Sequence, residues 1–446
     1  MDVFTACLRF VFEYGRQNQR WKTLLMSDIT RNLLEETQGY VEQAKAKAAK
    51  AKKPWQNWID AEWGFRNHWY PASLTRHVAE GEAKGIQLLG EEILLTRQNG
   101  KLHALEDRCP HRGIRFSSRP LFYTKETLTC WYHTWTFDLE DGNLRTILSS
   151  PDSKMIGKCS VKIYPIEEHK GIIFVFVGDI DPPPLSHDLA PGLLDDNAVV
   201  YCGEPYDINA NWRLGCENGY DPGHQFIHNW SEMCINAGMH TSYGYTSTKE
   251  DVLDTTRYVE LDDGPKGFTR KVEKTTFKHE ASIPLRDGGQ KDLMLPLARG
   301  KSKEELDELT AIIRLGTVGL WMPCSLKVTT FPAPHCTHYE FYVPKNKDVH
   351  TYFQFGVIHT DDEAEAERWL GEDGRIMWEV PAVEGFTIDD AFAREQMHKY
   401  YNEEDGWQRE RLFQPDVELT MWRQFASKHA RGIQTVDHTR GYFKRD

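Results

Sequence analysis

Two sets of candidate metal ligands stand out along the chain. The first is a pair of short arms, Cys109-Pro110-His111 and Cys130-Trp131-Tyr132-His133, with eighteen residues between them. Two thiolates and two neutral imidazoles are the ligand set of a Rieske 2Fe-2S cluster, in which the cysteines hold one iron and the histidines the other. A structural zinc ion takes the same four donors, but zinc modules usually pair cysteine with cysteine and histidine with histidine. Here each arm carries one of each, which suits two loops that clamp a dinuclear cluster. Gly113 follows the first arm, where a tight loop needs a residue without Cβ. Trp131 and Tyr132 are either shields of the cluster or ordinary β-core aromatics.

The second set is Asp221, His224 and His228. On a helix, histidines at i and i+4 share a face and bind one metal. Asp221 falls on that same face, where a carboxylate orients a ligand histidine from behind. Alone, such a pair is weak, because surface histidines often have this spacing. A mononuclear iron that activates O2 needs a third, carboxylate ligand and open positions. Asp389 and Asp390, after Glu384-Gly385-Phe386, are the candidates, and spacing does not choose between them. Acids at that point also serve simply as a helix cap and first-turn charge. Asn218 and Gly219 lie beside the histidine motif. A glycine there lets a flat ring approach the backbone and leaves its carbonyl as an acceptor for a ring N–H. Trp321 and Phe331, on expected strands, are candidate apolar walls or plain core aromatics.

These residues need a scaffold, and 446 residues allow two or three domains. Residues 64–179 read as a small all-β domain: short β-type runs at 87–89, 93–96, 102–106, 127–130, 135–139 and 172–177 are separated by turns such as Gln98-Asn99-Gly100. The Pro182-Pro183-Pro184 linker follows. Residues 180–446 read as a larger α+β domain with an antiparallel sheet, strand candidates at 266–282 and 311–357, and helices at 301–310, 363–401 and 416–429. Residues 1–63 read as a helical extension, with helical spacing at Val3, Cys7, Phe10 and Tyr14 and an Ala/Lys-rich helix over 27–53 that stops at Pro54.

Composition narrows the function. A formal net charge of -13 argues against a nucleic-acid binder. No apolar run reaches 18 residues, so no transmembrane helix is expected. The N-terminus lacks the features of a signal peptide, and nine cysteines without a repeating spacing fit thiols and ligands in a reducing cytoplasm. No Gly-x-Gly-x-x-Gly opens a βαβ unit, so NAD and flavin domains are not expected and electrons must arrive from separate proteins. An electron-transfer protein with an inert second domain, and a zinc-stabilised binding module, are the competing classes.

The order Cys-x-His, Cys-x-x-His, Asp-x-x-His-x-x-x-His and a late Asp-Asp resembles the α subunit of Rieske non-haem iron aromatic-ring-hydroxylating oxygenases, from about residue 60 to the end. Gly64-Phe65-Arg66-Asn67-His68-Trp69-Tyr70-Pro71, Asn211-Trp212-Arg213-Leu214, Glu217-Asn218-Gly219, Glu384-Gly385-Phe386 and Gly432-Ile433-Gln434-Thr435 look like the branch that acts on carbazole and 2-oxo-1,2-dihydroquinoline. Chain length and the extension before Trp55 look more like the oxoquinoline member. The resemblance implies a Rieske domain joined to a helix-grip catalytic domain. It implies that His224, His228 and Asp390, rather than Asp389, hold a mononuclear Fe(II). It further implies a homotrimer without β subunits, in which Asp221 bridges His133 of one subunit and His224 of the next. A ferredoxin and an NADH-dependent reductase would supply electrons. The implied substrates are O2 and a small aromatic N-heterocycle, foremost 2-oxo-1,2-dihydroquinoline hydroxylated at carbon 8 by a monooxygenase. Carbazole-type angular dioxygenation is the alternative.

Overall fold

The computed structural model describes residues 53–236, 243, 245–246, 254–271, 276–277, 280–295, 298–302, 304–306 and 316–436. The helices expected before Pro54 and half of the helix expected at 301–310 lie outside these residues. Residues 57–446 form one compact unit, to which the following description applies.

Its N-terminal part is all β. The strands are β1 (His68–Leu74), β2 (Ala83–Leu88), β3 (Glu91–Gln98), β4 (Lys101–Glu106), β5 (Leu121–Thr124), β6 (Thr127–Thr129), β7 (Trp135–Asp138), β8 (Leu144–Ile147), β9 (Ile166–His169) and β10 (Ile172–Val177). They make three small antiparallel sheets, ordered β1-β10-β9, β2-β3-β4 and β5-β6-β7-β8. The β3–β4 hairpin turns at Asn99 (φ 53°) and Gly100 (φ 73°), the left-handed pair that a two-residue hairpin needs. Leu94, Leu105, Phe116, Leu128 and Phe137 form a buried core that also takes in Cys109 and Cys130. Burial of the two thiols therefore comes with the folding of this core.

The C-terminal part is built on one antiparallel sheet. Its strands are β11 (Ala198–Cys202), β12 (Tyr206–Ile208), β13 (Thr256–Glu260), β14 (Lys266–Lys271), β15 (Thr317–Trp321), β16 (Ser325–Thr329), β17 (Thr337–Pro344) and β18 (His350–His359). The order is β11-β18-β17-β16-β15-β14-β13, with β12 also paired to β18. The helices are α1 (Trp212–Tyr220), α2 (Glu363–Leu370), α3 (Thr387–Asn402) and α4 (Val417–His429). The fold is α+β, as the sequence indicates.

Helix α1 lies against β17 on one side and α3 on the other. Asn211 caps it by accepting from the Arg213 N–H. Gly215 and Gly219, one turn apart, let it press onto Tyr342 of β17. A Cβ on Gly215 would come within 2.5 Å of the Tyr342 ring, and one on Gly219 within 2.1 Å of its hydroxyl. Glu217, from the same helix, accepts from Trp58 Nε1 and from Arg423 Nε and Nη2 of α4, each at 2.7 Å, and so ties three elements together.

Two expected elements are interrupted. The helical stretch expected at 363–401 stops at Leu370, resumes as wide irregular turns over Arg375–Glu384 around Pro381, and breaks again at Gly385 and Phe386 before α3. Proline lacks the N–H that a regular helix requires. Phe331, expected on a strand, falls in the turn after β16, where Pro332 follows.

Candidate active site

The two Cys/His arms fold as matching loops. In the first, Gly113 N–H donates to the Cys109 carbonyl at 2.8 Å; in the second, Thr134 N–H donates to the Cys130 carbonyl at 3.0 Å. Each loop closes on a left-handed residue, Gly113 at φ 71° and Thr134 at φ 57°. Cys109 and Cys130 are buried, and the imidazoles of His111 and His133 sit together with ring centroids 4.6 Å apart. A hydrogen bond between the thiols lowers the pKa of Cys130 and raises that of Cys109. Trp131 Nε1 donates to the Arg115 carbonyl and Ser118 Oγ, both at 3.1 Å, lacing the second loop to the first. Tyr132 is 49 % exposed, whereas Trp135 stacks on His111 with parallel rings at 5.0 Å. Two buried sulfurs beneath two exposed-side imidazoles fit a Rieske cluster.

The second set differs from a simple helical pair. Helix α1 ends at Asp221, whose backbone is extended, because Pro222 cannot continue it. His224 and His228 lie on the following 3-10 turns, His224–Trp230. Asp221 is thus not on a shared helical face. Its backbone carbonyl takes the contact with His224 Nδ1, while its carboxylate accepts from Gly223 N–H at 2.6 Å. His228 Nδ1 meets Ser231 Oγ at 3.0 Å, and Ser231 in turn donates to Asp389. A serine that donates onward must accept from the imidazole, so Nδ1 of His228 carries its proton. Both histidines therefore turn an unprotonated Nε2 inward.

Asp390 completes the group. Its Oδ1 lies 3.5 Å from His224 Nε2 and 3.7 Å from His228 Nε2. One donor atom from each of the three lies within 4.8 Å of the others, close enough for a single ion to touch all of them. Among the described residues, His228 Nε2 and Asp390 Oδ1 are buried without a hydrogen-bond partner. Burial raises the pKa of Asp390 and pushes that of His228 well down. Orphaned buried donors of this kind are what a cation relieves, and two nitrogens with one carboxylate suit a non-haem iron. Asp389, one residue earlier on α3, points to Ser231 instead.

An apolar cavity opens beside these residues. It is lined by Val318, Leu326, Val328, Phe331 and Phe386, with Gly219, Tyr220, Asp221, His224, Gln225, Arg270, His338, Glu340 and Asp390. One face of the sheet makes its floor: Val318 is paired with Arg270 and Val328, and Glu340 with Leu326. Phe386 also stacks on His228 at 3.6 Å. Of the residues expected to meet substrate, Gly219 and Phe331 reach the cavity. Trp321, expected as a wall, lies on the opposite face of β15, over Gly267, because alternate strand residues face opposite ways. Asn218 does not line the cavity either: its Oδ1 accepts from Arg394 Nε at 2.7 Å.

The spacing of ligand residues did not expose a buried polar network on β17. Glu340 accepts from His338 Nε2 at 3.0 Å and from the hydroxyls of Tyr342, at 2.6 Å, and Tyr352. Trp378 Nε1 donates to His338 Nδ1 at 2.9 Å, which fixes the proton of His338 on Nε2. Burial pushes the Glu340 pKa up, but His338 and the Arg394 guanidinium outweigh it and bring it down to about 2. The signal was present in the alternation His338, Glu340, Tyr342, polar groups on one face of an otherwise apolar strand.

Comparison with known proteins agrees with this arrangement. Residues 68–165 match the Rieske 2Fe-2S domain, and residues 176–434 match the homotrimeric ring hydroxylases. The terminal oxygenase component of carbazole 1,9a-dioxygenase from a Sphingomonas species is 40% identical over 390 residues, 87% of this chain and 97% of that one. The corresponding protein of Metapseudomonas resinovorans is 38% identical over 395 residues, 88% and 98% of the two chains. Among solved structures, the terminal oxygenase of carbazole 1,9a-dioxygenase from Nocardioides aromaticivorans IC177 superposes with a TM-score of 0.76 at 36% identity, over 85% of this chain and 99% of that one. The family carries a Rieske cluster and a mononuclear iron, for which the two sites above have the donors. With both of its domains matched in order, the chain belongs to the Rieske non-haem iron ring-hydroxylating oxygenases, in the homotrimeric ring hydroxylase family.

Proposed function

We propose that this terminal oxygenase hydroxylates 2-oxo-1,2-dihydroquinoline at carbon 8. In this reading residues 64–179 receive electrons, residues 180–446 carry out oxygenation, and residues 1–63 are an extension. Cys109 and Cys130 hold one iron of the cluster, His111 and His133 the other, and His224, His228 and Asp390 hold the mononuclear iron. When bound, these groups supply single electrons and an O2-activating position. In the net reaction two electrons and two protons accompany O2, a ring C–H becomes C–OH, and the second oxygen atom leaves as water.

The chain's own residues set up that reaction. The Asp221 carbonyl and the Ser231–Asp389 pair hold the protons of the two histidines on Nδ1, leaving Nε2 for metal. The apolar walls keep water from the reacting ring. The Asp221 carboxylate is proposed to bridge His224 to His133 of a neighbouring subunit. Electrons would come from NADH in the cytoplasm through a reductase and a ferredoxin. Supporting this, a similar solved structure, with a TM-score of 0.76 at 37% identity, is the reduced complex between oxygenase and ferredoxin in carbazole 1,9a-dioxygenase.

The observation that carries the substrate reading is the Gly219 carbonyl. In a continuing helix it would accept from residue 222 or 223. Pro222 has no N–H, and Gly223 N–H is taken by Asp221 Oδ1. Gly219 lines the cavity, and in this reading its carbonyl is the acceptor for a ring N–H beside the metal ligands. A second reading, angular dioxygenation of carbazole, uses the same acceptor and is favoured by the 38–40% identity to carbazole oxygenases. Turnover with labelled O2, a ferredoxin and a reductase separates the two. Incorporation of one oxygen atom into oxoquinoline supports the first. Double oxygenation of carbazole without oxoquinoline turnover supports the second.

A further inference from the structure

Tyr220 follows Gly219 in the chain and lines the same cavity. It is 1 % exposed, with its ring against Phe268 at 5.0 Å. Its hydroxyl is shut away from solvent and has no hydrogen-bond partner among the described residues. Burial holds its pKa well above that of an ordinary tyrosine, so it remains an O–H donor. A buried hydroxyl left unbonded is destabilising, and each such group in a folded protein calls for an explanation. Several other polar side chains of the lining are already committed. Both nitrogens of His338 are engaged, Glu340 only accepts, and Gln225 is partly exposed to solvent.

The charge at this end of the cavity narrows the ligand. Arg270 also lines the cavity, and its Nη1 donates to Glu418 Oε1 at 2.8 Å, both side chains being buried. The guanidinium charge is therefore answered from behind. A carboxylate brought here would find no free positive charge and would lose its hydration. A neutral oxygen acceptor carries no such cost.

We infer that the Tyr220 hydroxyl donates a hydrogen bond to a ring carbonyl oxygen of the substrate, which makes the cavity selective for planar rings bearing a neutral carbonyl. This rests on the cavity being the substrate site and extends that reading from the ring N–H to the ring oxygen. In a lactam the N–H and C=O are adjacent, and here an acceptor and a donor come from the adjacent residues Gly219 and Tyr220. Carbazole has no carbonyl to offer.

The test uses the loaded trimer without reductant and under anaerobic conditions, with affinity read by calorimetry. Fluorenone and fluorene form a matched pair that differs only in the carbonyl. The wild type should bind fluorenone about tenfold more tightly, the equivalent of one buried hydrogen bond. Tyr220→Phe should abolish that preference and leave fluorene affinity unchanged. An equal affinity in the wild type, a preference that survives in Tyr220→Phe, or equal weakening of both ligands would overturn the inference. So would tighter binding of quinoline-2-carboxylate than of oxoquinoline. A measurement on the wild type alone guards against a variant that does not fold. The infrared carbonyl stretch of bound fluorenone should lie below its value in an apolar solvent, and an unshifted band overturns the inference. Failure to turn over oxoquinoline, with the fluorenone preference intact, would remove the proposed substrate and uphold the role of Tyr220.

Discussion

Replacing Gly219 by alanine tests how closely α1 is seated on the sheet. The new Cβ would lie 2.1 Å from the Tyr342 hydroxyl oxygen, against an ordinary contact of 3.4 Å or more, so one side must yield by about 1.3 Å. The hydroxyl is held by Glu340 at 2.6 Å, and giving up that charge-assisted bond costs about 1.5–3 kcal/mol. Shifting the helix instead strains a packed core by about 1–3 kcal/mol. Either route predicts a loss of about 2–3 kcal/mol. In a Tyr342→Phe background the hydroxyl is gone. The nearest remaining atoms are Leu326 Cδ2 at 3.0 Å and the ring Cζ at 3.2 Å, a misfit of only about 0.4 Å that side-chain adjustment relieves. Gly219→Ala should then cost about 1 kcal/mol, so the two substitutions should couple by at least about 1 kcal/mol. Urea unfolding of all four proteins at one subunit concentration measures this, and metal content shows whether the shifted helix still presents His224. An identical penalty in both backgrounds would refute the seating of Gly219 on Tyr342.

Other outcomes follow from the two metal sites and from a buried carboxylate. Cys109→Ser should remove the visible absorbance of the cluster while leaving mononuclear iron in place, as metal analysis of the purified protein can show. Asp390→Ala should lose mononuclear iron and keep the cluster colour, whereas Asp389→Ala should keep the iron but bind it about 10–100-fold more weakly, because only the hydrogen-bonded chain through Ser231 is cut. Asp221→Asn should leave both sites filled yet slow the single-turnover oxidation of the reduced cluster; unchanged kinetics would confine Asp221 to its bond with Gly223. Burial pushes the pKa of Glu91 up, but Lys162, Tyr164 and Arg66 outweigh it and hold it at about 2 against an ordinary 4.5. A lowered carboxylate pKa stabilises the fold above the unfolded value and ceases to do so as pH falls towards the folded one. About 3 kcal/mol should therefore be lost between pH 4.5 and 2 in the wild type, and much less in Glu91→Gln, by urea unfolding at stepped pH.

What the sequence makes legible here is local. The period-two runs and the Asn99-Gly100 turn report on neighbouring residues, and six of the ten strands before the proline linker fall where those signals lie, whereas β1, β5, β8 and β9 carried no such signal. The two Cys/His arms are likewise complete within a few residues each. Asp389 and Asp390 are a different matter. Adjacent residues on a helix point about 100° apart, and which one meets His224 depends on how α3 is rotated against α1. Trp321 and Phe331 look alike as aromatics, but the register of β15 and the turn at Pro332 send them to opposite sides of the sheet. Asp221 was placed on a helical face that Pro222 prevents from forming. The Glu340–Arg394 network joins β17 to α3 across more than fifty residues of chain, so no window of sequence contains both halves.

The way the two ends of the described unit are stitched together bears on how the protein is made. Ile433 bridges to Phe65, Gln434 N–H donates to the Gly64 carbonyl at 3.0 Å, and Arg431 pairs with Asp188, which also holds His68 at 2.8 Å. Strand β10 reaches β1 by Val177, so on the ribosome the cluster-bearing sheets can close while the rest is still being translated. Gly64 and Phe65 must then wait for residues 431–434, roughly 250 residues later, or about 10–50 s at ordinary elongation rates. During that interval the base of the cluster-bearing half lacks its final partners. The strands of the cluster-bearing sheets are thus complete before those of the oxygenation site have been made. A chain released before Gln434 would leave that seam open.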